Sequence, residues 1–189
     1  MKNPKHILML IVAGLIIMAA TTRLLPHPPN FTPIIAIALF AGTYFKKSMW
    51  AWALPLAVMV VSDLALWWLY GYAFFSPMRL VIYLSLLVMV GFGGAISRNI
   101  SVTHIAGGAF AGAILFFMVT NFAVWITGTL YPITWEGLAM CYTAGIPFFR
   151  NTLISAFIYS AVMFGAVEWA KAWWQLPSHY ISTSRTNGR

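Results

Sequence analysis

The sequence predicts an all-α membrane protein: a bundle of about six transmembrane helices, with the N-terminus and C-terminus on the inner side. Three observations predict it. The 189-residue chain is 61% hydrophobic and 7% charged, where a soluble domain carries about 25% charged residues. Its mean hydropathy is +0.84. Its basic residues stand singly or in pairs between apolar runs, where charged residues flank membrane spans. The length suits one helical domain, residues 1–174, followed by a short polar tail, 175–189, expected to be disordered.

The spans read as 5–22, 31–46, 48–70, 78–97, 104–128 and 149–173. Each approaches what is needed to cross a hydrocarbon core about 30 Å thick. The first follows Lys2 and Lys5 as a signal peptide would, but its apolar run extends to Ala20 and Thr21-Thr22-Arg23 is a poor cleavage site, so it reads as a span. The second is the shortest, and either tilts little or begins inside the bilayer. Between the fifth and sixth lies a long connection, Thr129 to Phe148, containing Pro132, Trp135, Tyr142 and Pro147. It is expected on the membrane surface or folded back into the bundle mouth.

Charge sets the expected orientation. With the N-terminus inside, Lys2, Lys5, Lys46, Lys47, Arg98, Lys171, Arg185 and Arg189 are inner, and Arg23, Arg79 and Arg150 are outer. That is the asymmetry of a bacterial inner (plasma) membrane protein. Trp50, Trp52, Trp169, Trp173 and Trp174 then fall at the inner interface, and Trp67, Trp68, Trp125 and Trp135 at the outer one. The net charge of +8 is therefore a topology signal, and no nucleic-acid partner is expected. Small residues recur at four-residue spacing, as in Ala38/Gly42, Gly107/Ala111 and Gly108/Gly112, which suits close helix packing within the bundle.

The remaining polar residues gather toward the outer half. Asp63 lies about two-thirds along the third span, where an acid is costly unless paired or wetted. Arg79 opens the fourth span at a similar level, and Asn121 lies in the outer half of the fifth. Arg23, His27 and Asn30 lie in the first outer connection; Glu136, Tyr142, Arg150 and Asn151 lie at or near the last. Asp63 is expected to neutralise Arg79 or Arg150, and Glu136 another arginine. As a group, these ten residues are expected to line a mouth that receives a polar or anionic solute. Pro26, Pro28 and Pro29 around His27 make a stiff connection, Asn30 or Thr32 can cap the second helix, and Pro33 suits its first turn.

The segment R-L-L-P-H-P-P-N-F-T-P, followed by I-A-L-F-A-G, resembles a group of bacterial membrane proteins described as a domain of unknown function. Ser62-Asp63 and Ile146-Pro147-Phe148-Phe149-Arg150-Asn151 fit the same pattern. More loosely, the chain resembles the substrate-binding S-components of energy-coupling-factor vitamin transporters. That resemblance implies vitamin-like solute import, with a transmembrane coupling subunit and ATPases as partners. Some solitary members of that class bind cobalamin through a cysteine, which would be Cys141 here. The first span lacks the Ala-x-x-x-Ala pattern often found in that class, since Ala13 and Ala19 are six apart.

Enzyme classes find little support. There is no H-E-x-x-H, no phosphate-binding glycine loop and no adjacent carboxylate pair. The lone Cys141 excludes an internal disulfide and a cysteine-based metal cluster. His6 and His104 read as polar helix ends rather than haem ligands, and no mid-span lysine offers a Schiff base. The expectation is solute binding and import without catalysis, cofactor or metal. The partners are the lipid bilayer, the solute, and a coupling subunit or a second copy. The alternative is a non-catalytic membrane scaffold.

Overall fold

The structure, a computed structural model, describes residues 4–71 and 76–174. It is all-helical: α1 (Pro4–Thr22), α2 (Ile34–Tyr44), α3 (Trp50–Tyr70), α4 (Pro77–Ile96), α5 (Val102–Ile126) and α6 (Trp135–Trp173). Four of these, α3 to α6, are long and apolar enough to cross a membrane. The residues expected to form a disordered tail lie outside the described residues.

Local chemistry explains the helix boundaries. Ser76, Ser101 and Thr134 are N-caps whose side chains accept from the backbone N–H of Arg79, His104 and Gly137. Gly71 ends α3 in the left-handed conformation, φ +70°. Neither Asn30 nor Thr32 caps α2, contrary to expectation. Pro33 occupies that position without a side-chain hydrogen bond, and Asn30 instead turns the chain at φ +62°.

The expected connection of 129–148 is also corrected. Only its first part is irregular, because Thr134 starts a 39-residue helix that runs through Pro147. Proline is tolerated inside a membrane helix because neighbouring groups resatisfy the freed carbonyl. The sequence placed Pro147 in the connection, with the sixth span starting at 149.

α2 is the structural centre. Every residue from Ile34 to Tyr44 is buried, so it packs on all sides among α3, α4, α5 and α6. Its 11 residues span only about 16 Å, about half the hydrocarbon thickness. Glycine lets α4 approach it. A Cβ on Gly42 would strike the Val90 carbonyl oxygen, and one on Gly93 the Leu39 carbonyl oxygen. Thr43 Oγ1 lies 2.8 Å from Leu39 O and 3.0 Å from Gly93 O at the same crossing. Gly108 and Gly112 face inward against Ile96 and Ile35, whereas Gly107 and Ala111 are exposed.

The far end of α2 is tied to α6 by a cluster that sequence reading missed. Tyr44 donates to Glu168 Oε1 at 2.6 Å, and Lys171 Nζ meets the same oxygen at 2.7 Å. The Lys171 ammonium also stands 4.8 Å from the Tyr44 ring centroid. Lys171, expected as an inner flanking charge, is buried at 3% exposure.

The glycine contacts make a differential prediction. Gly42→Ala and Gly93→Ala should each destabilise the protein by about 1–3 kcal/mol through overpacking. Gly91→Ala and Gly107→Ala, where an added Cβ meets nothing within 4 Å, should be neutral or slightly stabilising. Thermal unfolding in detergent checks this; equal effects at all four positions would contradict the packing.

Candidate functional site

The shortness of α2 creates the site. Ile35, in its first turn, packs against Gly112 of α5. Beyond Gly112, α5 continues 14 residues to Ile126, about 21 Å further. α6 rises beside it: Asn151 Nδ2 donates to Pro29 O at 3.0 Å, and the helix extends from there back to Trp135. The α1–α2 connection is therefore recessed between two taller helices.

A cleft fills the recess. Its upper part, about 330 Å³, is walled by Thr120, Asn121 and Val124 of α5 and by Cys141, Ala144 and Gly145 of α6, among others. Its lower part, about 120 Å³, is lined by Arg23, Thr32, Met59 and Thr152, among others. Asn30, Ile82 and Phe116 line both parts, so the two adjoin.

Beside the lower part lies a charged cluster centred on Asp63, 3% exposed. Asp63 Oδ1 receives Arg23 Nη2 at 3.0 Å. Asp63 Oδ2 receives the Tyr83 hydroxyl at 2.8 Å and faces Arg79 Nε at 3.4 Å. Arg23 Nη1 donates to Ser62 Oγ, while the Ser62 hydroxyl is within reach of Val58 O at 2.7 Å and Met59 O at 3.1 Å. One carboxylate thus faces two guanidiniums, and the cluster carries a formal charge of +1. An apolar setting strengthens such an imbalance because it screens little.

The other expected residues disperse. Asn121 lines the cleft; its Nδ2 donates to Phe117 O at 2.8 Å, and its Oδ1 lies where a Gly145 side chain would stand. Tyr142 packs on Phe117 and donates to Met118 O at 2.7 Å, tying α6 to α5. His27 is exposed, with Nδ1 2.9 Å from the adjacent Pro28 O. Glu136 and Arg150 are exposed on α6. Of the two arginines expected to pair with Asp63, Arg79 does so and Arg150 does not; Arg150 is exposed, and Arg23 joins Asp63 as a partner that was not expected. Glu136 makes no ion pair among the described residues. Cys141 is buried, with Sγ 3.3 Å from Asn121 O.

Sequence reading overlooked Tyr83 and Thr120. Tyr83 was discoverable, since it stands four residues after Arg79 and so shares its helix face. No group of three or more His, Cys, Asp or Glu among the described residues is placed to hold a metal ion.

Fold and composition together define a polytopic helical membrane protein with a recessed cleft at one end. The chain belongs to a family of unknown function, DUF6580, whose sequence model matches residues 3–179. No curated protein and no solved structure matches it.

The cluster predicts a hierarchy of stability effects. Asp63→Asn leaves two half-buried guanidiniums without their shared carboxylate and should cost about 2–4 kcal/mol, below the full penalty of a completely buried pair. Tyr83→Phe removes one hydrogen bond and should cost about 1–2 kcal/mol. Thermal unfolding of the detergent-solubilised variants measures both. Wild-type stability of Asp63→Asn would contradict the cluster as described.

Proposed function

We propose that the protein binds a small anionic or polar solute, vitamin-like in size, in the recessed cleft and helps import it, without catalysing a reaction. The observation that carries this reading is the unbalanced charge beside the cleft: Arg23 lines the cavity while sharing Asp63 with Arg79. A carboxylate or phosphate entering the lower part would supply the missing negative charge. Asn30, Thr32, Thr120, Asn121 and Thr152 offer polar contacts along the way, and Phe116, Tyr131 and Phe148 offer apolar and aromatic surface.

Orientation supports import. Lys46, Lys47, Arg98 and Lys171 belong to the end opposite the cleft, which the positive-inside rule puts in the cytoplasm of a bacterial cell. The cleft then opens outward. The chain has no phosphate-binding glycine loop, so on this reading energy comes from a partner, either a coupling subunit with ATPases or a homo-oligomeric arrangement using an ion gradient.

Native mass spectrometry of protein gently extracted from its own membrane tests the proposal. The expected result is a co-purifying anionic small molecule. Its occupancy should fall roughly tenfold in Asn121→Ala through loss of a polar contact. It should vanish in Ala144→Trp, which fills the cleft from its α6 wall. A bare wild-type protein that also binds nothing in a metabolite screen would remove the solute reading and leave a scaffold.

A further inference from the structure

A second cavity lies at the opposite end of the bundle, apart from the cleft, with Gly42 and Val90 of the α2–α4 crossing in its lining. It has a volume of about 420 Å³ and is bordered by Lys46 and Arg98, with Trp52 on one side and Gly91, Gly94 and Ala95 along α4. Lys46, Trp52, Gly91, Ala95 and Arg98 are exposed, so it is an open groove between α3 and α4 rather than a sealed void. We propose that this groove binds an anionic phospholipid, its phosphate headgroup between Lys46 and Arg98 and an acyl chain lying along the glycine face of α4.

Charge is the first argument. The chain has three carboxylate side chains, and none of them reaches the groove. Asp63 is held by Arg23 and Arg79, Glu168 by Lys171, and Glu136 starts α6 at the other end. Two cations therefore flank one cavity with no acidic side chain to answer them among the described residues. A basic pocket between membrane helices suits a lipid headgroup.

Depth is the second argument. Trp50 and Trp52, at the start of α3, are 61% and 47% exposed, and Trp169 and Trp173, near the end of α6, are 66% and 70% exposed. Exposed tryptophans cluster where hydrocarbon meets headgroups. Their level puts Lys46 and Arg98 at phosphate depth, and Gly91 and Gly94 of α4, about one to two turns before Arg98, at acyl-chain depth. The same α4 carries glycines on two faces with different consequences. Gly93 is closed against α2, whereas Cβ atoms at Gly91 and Gly94 would meet nothing within 4 Å. The open glycines leave unfilled space beside the two cations, where an acyl chain can lie. This assignment does not depend on whether the opposite cleft binds a solute.

The test is lipid titration by native mass spectrometry of the full chain in detergent, with phosphatidylglycerol, phosphatidylcholine and soluble glycerol phosphate as probes. Wild type is expected to retain phosphatidylglycerol preferentially. Lys46→Ala/Arg98→Ala should weaken that retention by roughly 10- to 30-fold and abolish the preference over phosphatidylcholine. Gly91→Phe and Gly94→Phe keep both charges and fill open space, and should also weaken retention. Undiminished phosphatidylglycerol binding in the double alanine variant, or in both phenylalanine variants, would overturn the site. Glycerol phosphate binding as tightly as the lipid would overturn the acyl channel and make the groove a site for a soluble anion.

Discussion

A single carboxylate in an apolar bundle is the constraint on which the rest depends. Asp63 is 3% exposed, and an unanswered charge at that position would cost several kcal/mol. Its answer comes from two other elements: Arg23 after α1, which also donates to Ser62 on α3, and Arg79 with Tyr83 on α4. The cluster thereby fixes where α1 ends, how α3 and α4 face each other, and how deep the α1–α2 connection sits. The opposite end of the bundle uses a different device. There Glu168 and Lys171 balance one to one, with Tyr44 donating to the same carboxylate oxygen. A balanced cluster is a fastening. The cluster at Asp63 is positive by one charge, and it lies next to a cavity.

The cavity follows from helix length. A buried helix of 11 residues cannot match partners of 25 and 39 residues, so the connection preceding it sits below their tops. Proline and asparagine make that connection rigid: Pro26, Pro28 and Pro29 restrict the chain, and Asn30 accepts a positive φ that most side chains avoid. Glycine sets the other dimension. Gly42 and Gly93 bring α2 and α4 together more closely than any side chain permits, while Gly145 makes room for the Asn121 amide at the cleft wall.

Much of this was readable in the sequence. Hydropathy located all six helical segments, and the cost of a buried acid singled out Asp63 before any geometry was known. Two things were not readable, for physical reasons. Proline is a breaker in water but is tolerated in a membrane helix, so the expected sixth span of 149–173 missed the first 14 residues of α6, which runs on through Pro147 from Trp135. Partner choice was the other. Sequence offered Asp63 two arginines, Arg79 and Arg150; three-dimensional packing keeps the first, leaves the second exposed and brings in Arg23. Glu168 and Lys171, three residues apart on one helix, did carry a local signal. It was obscured because Lys171 also fits the pattern of an inner flanking charge.

The central claim is that the recess beside Asp63 is wet and opens on the side opposite Lys46 and Arg98. The most direct measurement is labelling of single cysteines in intact cells with a membrane-impermeant maleimide, in a Cys141→Ser background. Cysteines at Asn30 and Thr120, both lining the cleft, should label from outside without permeabilisation, and one replacing Ser48, in the α2–α3 connection, should not. Labelling of Ser48→Cys but not of Asn30→Cys or Thr120→Cys would invert the protein in the membrane and contradict the account.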